Sequence, residues 1–245
     1  MQPQIYANDY RIRYSEMDCN LLIKPASLLQ ILQDIASVNA ENLGFGYTFL
    51  TKQNLAWFLL KYHMEFDEYP QNIDSLTVTT EPRGWNKLFA YRDFEICNDK
   101  KTLARATTTW GLVDINTKSM TSVGNVLANN PNFTEFQKRE TDLKYTKIAQ
   151  LQNIDIEQIF EIRFDDLDVN QHVNNSNYLV WAFEPLGYEF RKNKKLKTLD
   201  ILFKKEIQYG HSICSQVQIL NNTTIHRLKN NKTDEELCLV QAEWV

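Results

Sequence analysis

Residues 163 to 178 hold the densest polar cluster of the chain: Arg163-Phe164-Asp165-Asp166-Leu167-Asp168-Val169-Asn170-Gln171-His172-Val173-Asn174-Asn175-Ser176-Asn177-Tyr178. Phe164, Leu167, Val169 and Val173 interrupt it, so the segment packs instead of standing free in solvent. Asp168, Asn170 and His172 follow at a spacing of two, which in an extended segment puts all three side chains on one side. An acid, an amide and an imidazole converging on one spot can orient water, hold a carbonyl oxygen and move a proton. For any one of them alone, an Asx-rich turn capping a helix is the simpler account; the three together point to chemistry. Asn174-Asn175-Ser176 then supplies N-cap residue types before the apolar run Tyr178-Leu179-Val180-Trp181-Ala182-Phe183, read as a short helix. The triplet thus stands at a helix N-terminus, where free backbone N–H groups favour negative charge.

The same arrangement occurs once before. Arg13, Tyr14, Glu16, Met17, Asp18 and Asn20 precede Arg163, Phe164, Asp166, Leu167, Asp168 and Asn170 by 150 residues without a gap. This is an internal repeat, and it implies two copies of one domain. Where the second copy has His172 the first has Leu22, so the chemistry is expected in the second copy.

The elements around each cluster repeat too. Tyr10 to Tyr14 alternates as a strand. Pro25 then opens a helix whose run Ala26 to Leu43 carries too many apolar residues for one stripe, so it is largely buried. Strands follow at 56–66, 76–81, 88–97 and 103–114, separated by turn signals including Pro82-Arg83-Gly84. The second copy repeats them at 198–209, 213–220, 224–228 and 236–244. The expected fold is α+β, a tandem pair in which each copy is a helix wrapped by an antiparallel sheet. The expected boundaries are 1–128, a partly helical connection over 129–156, and 157–245.

Composition closes off other classes. With 43% hydrophobic and 24% charged residues the chain builds real cores, and a net charge of −4 gives no general nucleic-acid surface. Cys19, Cys97, Cys214 and Cys238 are scattered, with neither metal-ligand spacing nor a disulfide framework. No apolar run reaches membrane-spanning length and the start has no secretory or transit pattern, so a soluble cytoplasmic protein is expected. His63, His211 and His226 lack acid–amide company and are read as structural.

The string Asp168-Val169-Asn170-Gln171-His172-Val173-Asn174-Asn175, with Tyr178 and Trp181 after it, resembles the second-domain motif of the acyl-acyl-carrier-protein thioesterases, in which two hotdog domains share one chain. The resemblance implies hydrolysis of fatty acyl-carrier thioesters with no cofactor or metal, by Asp168, Asn170, His172 and a glutamate on the following strand. That glutamate falls on Glu206 in Phe203-Lys204-Lys205-Glu206-Ile207, with Glu184 as the less favoured candidate. Many relatives carry a Cys directly after this Glu; here Ile207 stands there, so a cysteine nucleophile at that place is excluded. Asn174 and Asn175 would offer backbone N–H groups to the developing oxyanion. The first domain would house the acyl chain, with Trp57, Trp85 and Trp110 as candidate lining. Arg191, Lys192, Lys194, Lys195 and Lys197 form a basic run that could steer an acidic carrier protein. An acyl-CoA hydrolase, a hydratase or dehydratase of the same fold, and a non-catalytic acyl-binding protein remain as alternatives, and a homodimer is left open.

Overall fold

A computed structural model describes residues 4–71, 75–168 and 171–245. The chain runs β1 (Tyr6–Arg11), α1 (Pro25–Asn42), α2 (Tyr47–Thr51), β2 (Leu55–Phe66), β3 (Ser75–Asn86), β4 (Phe89–Asn98), β5 (Lys101–Asp114), β6 (Met120–Thr121) and α3 (Val123–Leu127). It continues with β7 (Ile156–Glu161), α4 (Asn175–Phe183), α5 (Gly187–Asn193), β8 (Leu196–Phe203), β9 (Ser212–Leu220), β10 (Thr223–Asn230) and β11 (Glu236–Trp244). The strands pair into one sheet in the order β1-β3-β4-β5-β2-β8-β11-β10-β9-β7, with β6 beside β5. The order is a palindrome: each copy contributes five strands in matching places. The two meet where β2 lies antiparallel to β8, from Lys61 opposite Leu202 to Glu65 opposite Thr198. This is the tandem hotdog architecture.

The repeat holds in detail. β1 and β7 start 150 residues apart, as do α1 and α4. α1 begins on Pro25, whose missing N–H costs nothing in a first turn. It buries Leu28, Leu29, Ile31, Leu32 and Ile35, each contributing roughly 2 kcal/mol of apolar burial. α4 is half as long and packs against it; Gln30 Nε2 donates to Ser176 Oγ at 3.0 Å, tying the middle of α1 to the first turn of α4. The main hydrophobic core runs through both copies without a break.

Three local expectations change. Pro82-Arg83-Gly84 is a bulge inside one long strand, not a turn. Gly84 sits at φ +100° against the backbone of residues 134–136, and Trp85 exchanges backbone hydrogen bonds with Thr134 and Phe136. The contact holds the strand straight through a proline that would otherwise stop it. Next, β8 ends at Phe203, so Glu206 lies beyond the strand, in a segment without regular secondary structure. Finally, residues 129–156 form no helix: they cross the sheet as a strap, with Thr146 N–H on Asp200, Ala149 N–H on Gln241 and Gln152 N–H on Gln218.

Candidate active site

The focal segment is a closed loop, not an extended run. Asp168 N–H donates to the His172 carbonyl at 2.8 Å and Gln171 N–H to the Asp168 carbonyl at 3.0 Å. Gln171 turns the chain at φ +64°. Leu167 and Val173 pair across the base, because both are apolar and reach the core edge together. Asp168 and His172 are therefore neighbours through loop closure, not through strand alternation. His172 N–H also points at Asp168 Oδ1, 3.3 Å away. Asn170 lies outside the described residues.

Two supports fix the loop. Val173 N–H donates to the Ile207 carbonyl at 3.2 Å, which lays the segment after β8 alongside it. Asn174 caps α4 by accepting from Ser176 N–H and Ser176 Oγ–H at 2.9 and 2.8 Å, and Ser176 receives Gln30 of the other copy. The Asn174 N–H is spent on the Asp166 carbonyl at 2.9 Å, so it is not an oxyanion donor. Asn175 N–H, the first of α4, has no hydrogen-bond partner among the described residues and keeps that role open.

The segment after β8 grips both sides of the imidazole. Glu206 Oε2 lies 3.4 Å from His172 Nδ1, and Gln208 Nε2 lies 3.3 Å from His172 Nε2. The side chains of 206 and 208 both face the ring, while Ile207 between them is buried. With the Gln208 amide in this orientation its NH2 donates to Nε2, and the ring proton then belongs on Nδ1, facing Glu206. The Glu206 carboxyl is held above the usual range, first by burial and then by the negative charge of Asp168; His172 and Lys118 oppose the rise. Lys118 belongs to the turn between β5 and β6, so a cation of the first copy acts electrostatically on the second copy's carboxyl. A carboxyl with raised proton affinity, touching an imidazole and open to solvent, suits a general base near neutrality.

Gln208 was missed in the sequence. Its signal was present, as the second member of a period-two pair in Glu206-Ile207-Gln208. Glu184 is bound elsewhere, to Arg191 at 2.8 Å. Cys214 is a packed thiol pushed up to about 11 by burial and by Glu157. His63 corrects the expectation of a histidine without acid company: its Nδ1 lies 2.7 Å from Asp200 and its Nε2 3.1 Å from Glu65, at the seam between copies. His226 is buried with Nε2 on Thr224 Oγ1 at 2.8 Å, and burial pulls it down to about 3.

The three tryptophans divide. Trp57 and Trp110 line a cavity of about 90 Å³ between α1 and the first copy's strands. Trp85 does not line it; the ring packs under Gly124, where an added Cβ would lie 2.6 Å from it, and its Nε1 donates to the Phe133 carbonyl. The basic run is also displaced from the site. Asn20 donates to the Lys192 carbonyl and Lys195 reaches Gln71, while Lys194 holds Asn222 and Lys197 holds the Phe66 carbonyl. Those contacts set it against the first copy's loop, at the opposite end of β8 from Glu206. Among the described residues no group of three or more His, Cys, Asp or Glu could hold a metal ion, and no helix is long and apolar enough to cross a membrane.

Fold and site together define a fused pair of hotdog units in which one of the two loop sites keeps a histidine and a carboxylate. The family model for the acyl-ACP thioesterase N-terminal domain matches residues 3–129, and that for the acyl-ACP thioesterase C-terminal domain matches residues 148–245. The chain belongs to the acyl-ACP thioesterase family. It is 25% identical over 232 residues to Acyl-[acyl-carrier-protein] hydrolase FATB2, chloroplastic, of Cuphea viscosissima, covering 90% of this chain and 55% of that one. It is 25% identical over 251 residues to Oleoyl-acyl carrier protein thioesterase 2, chloroplastic, of Arabidopsis thaliana, covering 92% of this chain. The chain spans 64% of that second relative, so both plant proteins are considerably longer. The 12:0-ACP thioesterase from Umbellularia californica superposes with a TM-score of 0.87 at 20% identity, over 100% of this chain and 98% of that one. An acyl-ACP thioesterase from Bacteroides thetaiotaomicron superposes at 0.86 and 20% identity, over 99% and 98%. These likenesses establish the fold.

Proposed function

We propose that this chain hydrolyses the thioester of fatty acyl-acyl carrier protein, releasing free fatty acid and carrier. The observation that carries the reading is the His172–Glu206 pair, held face to face by a loop and a segment that share the Val173–Ile207 hydrogen bond. In this mechanism the Glu206 carboxylate takes a proton from water, which attacks the thioester carbonyl. His172 presents Nδ1–H between carboxylate and substrate, and Gln208 holds that tautomer by donating to Nε2. Asp168 raises the proton affinity of Glu206 and closes the loop. The Asn175 N–H, at the positive end of α4, meets the developing oxyanion. The leaving thiolate is that of the carrier's phosphopantetheine arm. The reaction takes place in the cytoplasm on this reading, which accords with four cysteines that are all free thiols.

The acidic carrier would present its thioester at the mouth beside Lys118, whose charge is felt at Glu206. The basic run at the far end of β8 supports carrier binding less well. The test is release of free thiol from carrier protein loaded with a ladder of acyl lengths, with acyl-CoA alongside. Turnover of acyl-ACP that is lost in Glu206→Gln supports the reading. Wild-type protein that binds acyl-ACP and releases no thiol overturns it.

A further inference from the structure

Two arginines on the first copy's sheet are almost fully buried, and the fold treats them oppositely. Arg83, 7% exposed, is neutralised by Asp93 and by Asp142 at 2.6 Å, donates to the Gln137 carbonyl and lies over the Phe136 ring. Arg92, 6% exposed, has no carboxylate partner among the described residues. Its Nη1 donates to Asn39 Oδ1 at 2.8 Å and Thr80 Oγ1 at 2.9 Å, both neutral, and its Nε and Nη2 have no hydrogen-bond partner among the described residues. Burial pulls its pKa down from 12.5 to about 9, so it is still charged at neutral pH.

An uncompensated buried guanidinium is costly, because dehydration is not repaid by a counter-charge. This one borders space. Arg92 lines the cavity of about 90 Å³ together with Trp57, Trp110, Ala36, Ala40 and Phe133. The rest of that lining is largely apolar and suits a hydrocarbon chain; the guanidinium does not, unless the chain brings an oxygen.

Register supplies the scale. Arg92 pairs with Thr108, Thr108 with Tyr62, and Tyr62 with Ile201; Glu206 follows five residues on. Three strand spacings, and the run of chain from Ile201 through the end of β8 to Glu206, put Arg92 roughly 20 Å from the base. An oxygen that meets Arg92 is therefore at the far part of a long chain, not beside the thioester. We infer that Arg92 reads a distal oxygen on the acyl chain, and that the preferred substrate class is a long acyl thioester ending in a carboxylate or hydroxyl. The inference rests on the thioesterase reading and names the substrate class of that site.

The experiment measures kcat/KM of the wild-type protein on acyl carrier protein loaded with three chains of equal length: unsubstituted, ω-hydroxy and ω-carboxy. A hydrogen bond to a charged donor in a largely apolar pocket predicts a preference for the oxygenated chains of roughly 10- to 100-fold. In Arg92→Met the ratio falls to one or below, and in Arg92→Lys it is partly kept. Wild-type protein that hydrolyses the unsubstituted chain as well as both others overturns the inference, and this needs no variant to fold. Calorimetry with free acids separates the two readings. A long dicarboxylic acid binding more tightly than the monocarboxylic acid of equal length supports Arg92 even where no acyl-ACP is turned over, a result that sinks only the thioesterase. Equal binding of the two acids counts against the inference.

Discussion

Leu22 and His172 occupy the same place in the two copies. Asp18 N–H reaches the Leu22 carbonyl at 2.8 Å, and Asp168 N–H reaches the His172 carbonyl at 2.8 Å. Leu21 and Gln171, one residue before each, both turn the chain with positive φ. The correspondence extends to the facing segment. Pro70 receives Ile23 N–H as Ile207 receives Val173 N–H, which sets Tyr69 where Glu206 is and Gln71 where Gln208 is. Duplication preserved the frame, and only one copy keeps the chemical groups in it.

Restoring the histidine does not restore a site. In Leu22→His, placed in a His172→Ala background, the new ring faces Tyr69, whose hydroxyl donates to the Ile23 carbonyl at 2.7 Å. Tyr69 stands in the place of Glu206, and the one carboxylate of the loop among the described residues, Asp18, is taken up by the Asn20 and Leu22 N–H groups. Thiol release stays at the His172→Ala level, and the thermal midpoint falls by the equivalent of about 1–3 kcal/mol, because a polar ring replaces a leucine only 6% exposed. Recovery of turnover would mean that the glutamate is dispensable.

The acid limb of the pH–rate profile belongs to Glu206. A base works unprotonated, so kcat/KM falls as pH drops through the pKa of this carboxyl, which burial and Asp168 hold above the ordinary glutamate value. Asp168→Asn removes an influence that raises the pKa and moves the limb to lower pH. Lys118→Met removes one that lowers it and moves the limb to higher pH. Glu206→Gln abolishes the limb and lowers turnover by about 10²–10⁴. Limbs that stay in place in both charge variants would detach this carboxyl from the rate.

Gln208 is placed to help hold the imidazole in the Nδ1–H tautomer, with Glu206 on the other nitrogen. Gln208→Leu leaves Nε2 without its donor, and the ring then samples both tautomers. Nitrogen NMR of His172 should report Nδ1–H in the wild type and a mixture in the variant. The expected cost is about tenfold in kcat with little change in KM, the loss of one oriented hydrogen bond. A wild-type ring already mixed between tautomers would remove the role.

How much of this could be read in the residues follows from what each part depends on. The duplication was legible because paired loops need the same residue types: Asp18 and Asp168 each close a loop onto their own backbone. Glu206 is singled out by its likeness to a family strand, and the structure sets it beside His172, although β8 ends three residues earlier, where Lys204 and Lys205 turn to Leu237. Gln208 carries only the weak signal of its spacing from Glu206, and Lys118 carries none, because it acts on Glu206 only through segments that meet in the folded sheet. The bulge at Pro82-Arg83-Gly84 was misread for the same reason: nothing nearby in sequence announces the strap of residues 134–136 that holds it. The acid company of His63, read only as a structural histidine, is hidden too, since Asp200 lies in the other copy and becomes its neighbour only through the β2–β8 pairing.

That last pairing makes stability depend on pH. His63 and Asp200 are both buried at the junction, 2.7 Å apart, and Asp200 also accepts the strap's Thr146 N–H. Burial opposes charge on the ring, but Asp200 and Glu65 outweigh it, and the pKa of His63 is raised in the folded protein. A histidine with a raised folded pKa contributes stability that is fully present below its unfolded value, about 6.5, and is lost as pH rises through the folded value. The thermal midpoint should therefore decline from pH 6 into the alkaline range. Asp200→Asn breaks a buried pair, costs about 3–5 kcal/mol, and reverses the slope, since a ring left mainly to burial resists protonation and loses stability toward acid. Midpoints measured every half unit between pH 5 and 9 on both proteins decide it: a flat wild-type curve, or an unchanged slope in the variant, removes His63 as the titrating group at the seam.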